Sequence, residues 1–252
     1  MNQRTIKNSI SFSGVGIHTG AETNMTLKPA EANSGIRFIR TDLEGNPEIK
    51  GNPVINADVD NVFSTERSTG LKQGIAEINT VEHILASIVG AEIDNIIIEV
   101  NNIEIPILDG SSTSFSELIS KTGTEELSAK RKFFEVKRKI SFTDHESGTT
   151  FIATPADEYQ VEVEINYNSN TLGVQTAALN SITDFKDEIA SSRTFCFLHE
   201  LELLLSNNLI KGGDVNNAIV IVDGEIAEDK LDSLAKAFNK TDIKVGERGI
   251  LN

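Results

Sequence analysis

The chain has 252 residues, 38% hydrophobic and 24% charged, which is enough apolar material for a packed core and excludes disorder as the default reading. A formal net charge of −15 argues against a phosphate-backbone binder, which needs a basic face, but leaves room for one small anionic ligand held by a few local lysines or arginines. The single cysteine, Cys196, excludes an intramolecular disulfide; set between two phenylalanines, it reads as a buried thiol in a reducing compartment.

Residues 1–7 lead into no apolar stretch of the secretory type, and no run reaches the length of a membrane span, so a soluble cytoplasmic protein is expected. Residues 5–40 read as strands and turns. Ile10-Ser11-Phe12, Met25 to Lys28 and Ile36 to Arg40 alternate roughly between apolar and polar. Between the first two lies Gly14-Val15-Gly16-Ile17-His18-Thr19-Gly20. Its spacing fits neither the dinucleotide fingerprint nor a P-loop, so a tight hairpin turn is expected rather than a phosphate cradle. His18 is either a turn residue or a group facing a site. Residues 41–70, rich in Gly, Asn and Pro, read as a long polar connection, a class of loop that is often functional.

Glu77 to Gly90 reads as one helix, and the rest of the chain is organised around it. Asn79 or Thr80 is the expected N-cap. Val81, Ile84, Leu85, Ile88 and Val89 form an apolar stripe, and Gly90 a left-handed stop. At about 100° per residue, His83 falls nearly opposite the stripe and Glu82 at its edge. A carboxylate and an imidazole presented together suit a metal site with a general base. They also suit an ordinary solvated helix face, which these residues alone favour.

Asn95 to Val100 reads as a buried strand. Ile105 to Leu108 reads as the end of another, turning at Asp109-Gly110-Ser111-Ser112, and Ser114 to Thr122 as a short amphipathic helix. The polar run Glu125 to Lys132 marks a boundary, giving a first domain over 1–126 and a second over 127–252. Strands are expected over 133–142, 149–154 and 160–167, a helix over 184–198, a buried strand over 217–222 and a helix over 230–238. The last residues enter a strand that leaves the second sheet unfinished, and the apolar edge this would expose predicts aggregation. His145 lies in a polar turn and His199 at a helix end, where a cation favours the dipole.

Gly14 to Gly20, Thr80-Val81-Glu82-His83, Ile107 to Ser111, Ser192-Arg193-Thr194-Phe195, and Gly212-Gly213 before Asn217 to Val220 stand in one order and spacing. With them the chain closely resembles the zinc-dependent UDP-3-O-acyl-N-acetylglucosamine deacetylases of Gram-negative lipid A synthesis. The resemblance implies an α+β fold of two domains of similar topology, each a sheet layered with helices, the active site between them and the second domain incomplete. It implies Zn²⁺ held by His83 together with a histidine and an aspartate of a later helix, with water in the fourth position. Those two ligands, and a histidine that protonates the leaving amine, are expected beyond Asn252. Glu82 would act as general base and Thr194 as donor to the oxyanion.

The same resemblance places Phe63, Ser64 and Thr65 on the metal pocket, Tyr167 on the uracil and Phe195 on the sugar. Leu201, Ile210, Gly213, Ala218 and Val220 would line an acyl passage in a β-α-β insert near 197–225; a plain core helix and strand is the alternative. Asn166-Tyr167-Asn168-Ser169 lacks the family's flanking aspartate and His-Pro, and Asp214 adds a charge at the passage mouth. The implied partner is a UDP-acyl-amino-sugar, with neither nucleic acid nor a membrane span. Some relatives carry a fused hydroxyacyl-carrier-protein dehydratase downstream. These residues alone are expected to hold zinc weakly and not to turn over. The alternatives are a non-catalytic nucleotide-sugar and acyl-binding remnant, or a phosphate-handling enzyme using the glycine loop.

Overall fold

The computed structural model describes residues 1–48, 53–201, 211–238, 240–246 and 248–251. The first half runs through β1 (Asn2–Ile6), β2 (Ile10–Val15), β3 (Glu22–Pro29), β4 (Ile36–Arg40), β5 (Val54–Asn56), β6 (Val62–Ser64), β7 (Gly70–Gln73), β8 (Ala76–Ile78), α1 (Glu82–Gly90), β9 (Ile96–Val100), α2 (Thr113–Thr122) and β10 (Thr124–Lys130). The second half runs through β11 (Ile140–Thr143), β12 (Thr150–Ala153), β13 (Val161–Asn166), β14 (Val174–Leu179), the short α3 (Phe185–Glu188), β15 (Phe195–Phe197), β16 (Ile219–Ile221) and α4 (Glu228–Ala237). The chain is α+β.

In the first half, five strands join in the order β2-β3-β9-β4-β5, antiparallel except for the β4–β9 pair. Burial alternates along β9, with Ile96, Ile98 and Val100 inside. The apolar run is therefore a one-sided strand, its outer Glu99 paired with Lys28 at 2.6 Å. Those residues join Met25, Leu27, Phe38 and Ile55 from the sheet with Val81, Ile84 and Ile88 of α1 and Phe115 and Ile119 of α2 in one buried cluster. Phe12 meets Phe115 edge-on, centroids 5.9 Å apart.

Several expectations change here. The helix does not begin at Glu77: Ala76–Ile78 is β8, paired to β7, and α1 starts at Glu82. Its N-cap residue is Val81, whose side chain has no oxygen to cap with, and the Thr80 hydroxyl donates instead to Glu104. Gly90 is no left-handed stop. Glu92 takes that conformation, at φ 54°, and Gly90 is small because a Cβ would meet the Phe185 ring at 2.2 Å. The polar connection 41–70 contains strands β5 and β6, the latter paired to β7 at its end. Residues 105–108 form no ladder strand; Asn79 and Glu104 make an isolated bridge. The polar run at 124–130 is β10, paired to β1, so a strand straddles the expected 126/127 division.

In the second half β11–β12 and β13–β14 are hairpins and β15–β16 a parallel pair. The helix expected over 184–198 is the four-residue α3, and Phe195–Phe197 is β15. Its central Cys196 is half-buried, and burial pushes the thiol up to about 11. His199 lies at the start of a helical turn rather than at a helix end, exposed and stacked on Phe197. Leu198, Leu201, Val220, Val222, Leu234 and Leu251 form the second-half core. Phe185, Leu179 and Ala190 form a smaller cluster against which Ala86 of α1 packs. Helix α1 is thus held from both sides: Ile84 and Ile88 face the first-half core, Ala86 and Gly90 the second half.

Candidate active site

The two halves touch where glycines let backbones close. A Cβ on Gly110 would meet the Asn217 carbonyl at 1.9 Å, and one on Gly212 the Gly16 carbonyl at 2.1 Å. Hydrogen bonds cross the same seam. Gly212 N–H donates to Ile17 O at 3.2 Å, Thr194 N–H to Gly110 O at 2.8 Å and Ser112 N–H to Ala190 O at 2.9 Å. Arg193 Nε donates to Asp109 O at 2.8 Å. The glycine loop, the Asp-Gly-Ser-Ser turn, the Ser-Arg-Thr-Phe run and the Gly-Gly pair, far apart in sequence, are one contact in space.

Glu82 and His83 stand in the first turn of α1, and the His83 ring lies within electrostatic reach of Asp109 at this seam. Both are half-buried. Glu82 Oε2 accepts the Thr69 N–H at 3.0 Å, which aims the carboxylate. The His83 carbonyl accepts the Ser87 and Ser112 hydroxyls at 3.2 and 3.1 Å, pinning the helix to the turn that carries Asp109. Burial pushes the His83 imidazole below its ordinary value, while the Glu82 and Asp109 carboxylates pull it back up. The ring therefore favours the neutral form that a metal ligand needs. Asp109 itself accepts the Ser111 N–H and hydroxyl. Its turn is left-handed at Leu108, φ 53°, and at Gly110, φ 81°.

The site groups divide into those brought together and those not. The Glu82 and Asp109 carboxylates each lie within electrostatic reach of the His83 ring, and Thr194 is tied by its backbone to Gly110 next to Asp109. Phe195 and Tyr167 meet edge-on at 5.5 Å, and Tyr167 meets Phe197 at 5.9 Å, one aromatic cluster with Tyr167 half-exposed. Phe63 is 47% exposed, with Lys72 Nζ 5.8 Å from its ring centre. The Ser64 hydroxyl accepts the Glu66 N–H, and Thr65 is exposed. Gly213 and Ala218 are half-buried, whereas Leu201 and Val220 are closed into the second-half core. Ile210 lies outside the described residues. Asp214 pairs with Lys240 at 3.3 Å, which offsets its charge.

His18 lies in the loop, its N–H bound to Glu104, and His145 is exposed in the β11–β12 turn. Among the described residues no three His, Cys, Asp or Glu side chains converge as a metal cage. A resident zinc therefore finds one imidazole here and not a complete set of ligands. No described helix is long and apolar enough to cross a membrane.

Sequence reasoning missed two groups. Glu104 is 1% exposed; the signal for it was a lone acid inside the apolar run Ile103 to Ile107. Arg67 reaches Glu200 of the second half at 3.7 Å; nothing in the residue pattern marked that pair.

A family model described as LpxC, UDP-3-O-acyl N-acetylglycosamine deacetylase, matches residues 3–235. A protein of Bacteroides thetaiotaomicron named bifunctional enzyme LpxC/FabZ is 40% identical over 252 residues, covering 100% of this chain and 53% of the relative. One of the same name from Porphyromonas gingivalis is 40% identical over 250 residues, covering 99% and 53%. The UDP-3-O-acyl-N-acetylglucosamine deacetylase of Thioalkalivibrio sulfidiphilus is 40% identical over 229 residues, covering 90% and 73%. The chain thus spans about half the length of the bifunctional relatives it matches. With that match over most of its residues, and with the matched motifs meeting at a single seam, the chain belongs to the UDP-3-O-acyl N-acetylglycosamine deacetylase family.

Proposed function

We propose that the whole protein hydrolyses the acetamide of UDP-3-O-acyl-N-acetylglucosamine in lipid A synthesis, in the cytoplasm. The observation that supports this most is the Glu82–His83 pair at the seam where the family's motifs meet. In this reading Glu82, aimed by the Thr69 N–H, takes a proton from the attacking water. The water oxygen bonds to the acetamide carbon, and the Thr194 hydroxyl donates to the oxyanion that forms. The C–N bond then breaks, acetate leaves, and a histidine from protein outside these 252 residues protonates the amine.

Zinc is proposed as the cofactor, with His83 as one ligand; on the family resemblance the remaining ligands are proposed to lie beyond Asn252. Phe195 and Tyr167 form the face offered to sugar and uracil, and the Phe63-Ser64-Thr65 strand end flanks the pocket. Gly213 and Ala218 are proposed for the acyl chain, with Leu201 and Val220 as the wall behind them. A two-domain division, 1–126 and 127–252, belongs to the same proposal. So does a second, fused enzyme, given the bifunctional name of the two relatives that the chain half covers.

The test is acetate release and metal content of the full-length protein, with Glu82→Ala alongside. The expected result is turnover with bound zinc, and a kcat lower by about 10²–10⁴-fold in Glu82→Ala. Full activity in that variant removes Glu82 from the base role. Substrate binding without acetate release by the unaltered protein overturns the enzyme reading in favour of a binding remnant.

A further inference from the structure

Glu104 sits where two first-half motifs meet. Its Oε1 accepts the His18 N–H at 3.0 Å and the Thr80 hydroxyl at 3.0 Å; its Oε2 accepts the Thr19 N–H at 2.8 Å and the Thr19 hydroxyl at 2.7 Å. A Cβ on Gly16 would meet Oε2 at 2.2 Å, so the glycine loop wraps the carboxylate without room to spare. Burying a carboxylate is costly, and core packing does not ask for one here. The loop's His18 and Thr19 amides are consumed by this internal acid, which also argues against an external phosphate in their place.

Thr80 explains what the carboxylate holds. It is a buried, β-branched residue at φ 61°, a conformation such residues rarely adopt. It stands two residues before Glu82, and α1 has no side-chain cap of its own. The angle at Thr80 therefore sets where the first turn of α1 points. On the other side, the loop that Glu104 holds is the surface on which Gly212 of the second half rests.

We propose that Glu104 is a positioning residue: through Thr80 it fixes the left-handed turn that aims Glu82, and through the His18 and Thr19 amides it ties that turn to the seam between the halves. The effect on turnover rests on the reading of Glu82 as general base; the mechanical link does not.

Both are tested in the full-length protein with Glu104→Gln, Thr80→Ala and the double variant. Glu104→Gln places an amide NH₂ against groups that themselves donate. It should lower kcat at least tenfold with KM within about threefold, because substrate contacts remain. Amide hydrogen exchange at residues 18–19 and at Val81 and Leu85, whose N–H groups donate to Thr69 O and Val81 O at the start of α1, should quicken together, at least tenfold. Thr80→Ala, which leaves the carboxylate three donors and serves if Glu104→Gln fails to fold, should lower kcat and quicken exchange in α1 alone. The double variant should be no slower than Glu104→Gln, since both changes release one restraint. Unchanged kcat in either single variant of an active enzyme, or exchange in Glu104→Gln that quickens only in the loop, overturns the proposal, as does a multiplicative loss in the double. If the unaltered protein releases no acetate, the deacetylase reading falls and the exchange result alone decides the link.

Discussion

The first half and the second half carry the same apolar alternation and use it differently. In the first, Phe38, Ile96 and Ile98 are fully buried beneath α1 and α2. In the second, Phe142 and Phe151 of the β11–β12 hairpin are each 64% exposed, and Phe134 is 91% exposed. A period-two pattern marks which residues share a face. Whether that face is buried depends on a covering layer, and covering layers come from elsewhere in the chain or from other protein.

The largest test of that contrast is core truncation. Phe38→Ala should cost about 3–5 kcal/mol in equilibrium urea unfolding, whereas Phe142→Ala or Phe151→Ala should stay within about 0.5 kcal/mol. A loss of about 2 kcal/mol at Phe142, the size of burying such a side chain, would break the comparison by showing that hairpin covered in solution.

A middle-sized effect separates the seam from an ordinary turn. Gly45 is left-handed at φ 77° with nothing within 4 Å of an added Cβ, so Gly45→Ala should cost only the conformational term, about 1–2 kcal/mol. Gly110 is left-handed at φ 81° and faces the Asn217 carbonyl, so Gly110→Ala adds an overpacking cost of about 1–3 kcal/mol. Equal losses at the two sites, measured by the same unfolding, would mean that the halves do not press together at Gly110.

The smallest effect is a pH dependence. Arg40, 6% exposed, grips Asp42 at 2.9 and 2.7 Å and holds its carboxyl below the ordinary value. A depressed folded value means that this stabilisation is complete above the unfolded pKa of about 3.9 and is lost as pH falls through the lower folded one. Because Asp42 is partly exposed, its size should be under about 1 kcal/mol. Asp42→Asn should remove that slope from an acid series of unfolding curves; an unchanged slope would discard the pair as a source of acid sensitivity. In the second half Asp144 is lowered too, by the Ser147 hydroxyl in an exposed turn, so the contrast there is a local hydrogen bond against an ion pair whose arginine alone is buried.

Legibility followed range. β2, β3, β4, β9 and α2 were readable because alternation, helical spacing and turn residues are local signals. The failures were mostly places where a partner strand, near or far, decided. Residues 76–78 carry helical spacing but pair with β7, and 124–130 look like a polar linker but pair with β1. The apolar run at 195–197 became a strand because β16 lies parallel to it. Glu82 and His83 were legible as a pair presented at the helix start. Their neighbours Asp109 and Thr194, which arrive from other turns, were known only through the family's motif order.

The amino-acid sequence by itself determined the α+β class, the acidic character, the glutamate–histidine pair and the set of motifs that place the chain in its family. Each is written in composition, in short-range spacing or in residue order. Tertiary structure alone decided why Gly16, Gly110 and Gly212 are glycines, that Glu104 is buried against the loop and Thr80, and that α1 is gripped from both sides. Those facts depend on which backbones approach within van der Waals contact across long sequence separations. No local periodicity carries that information.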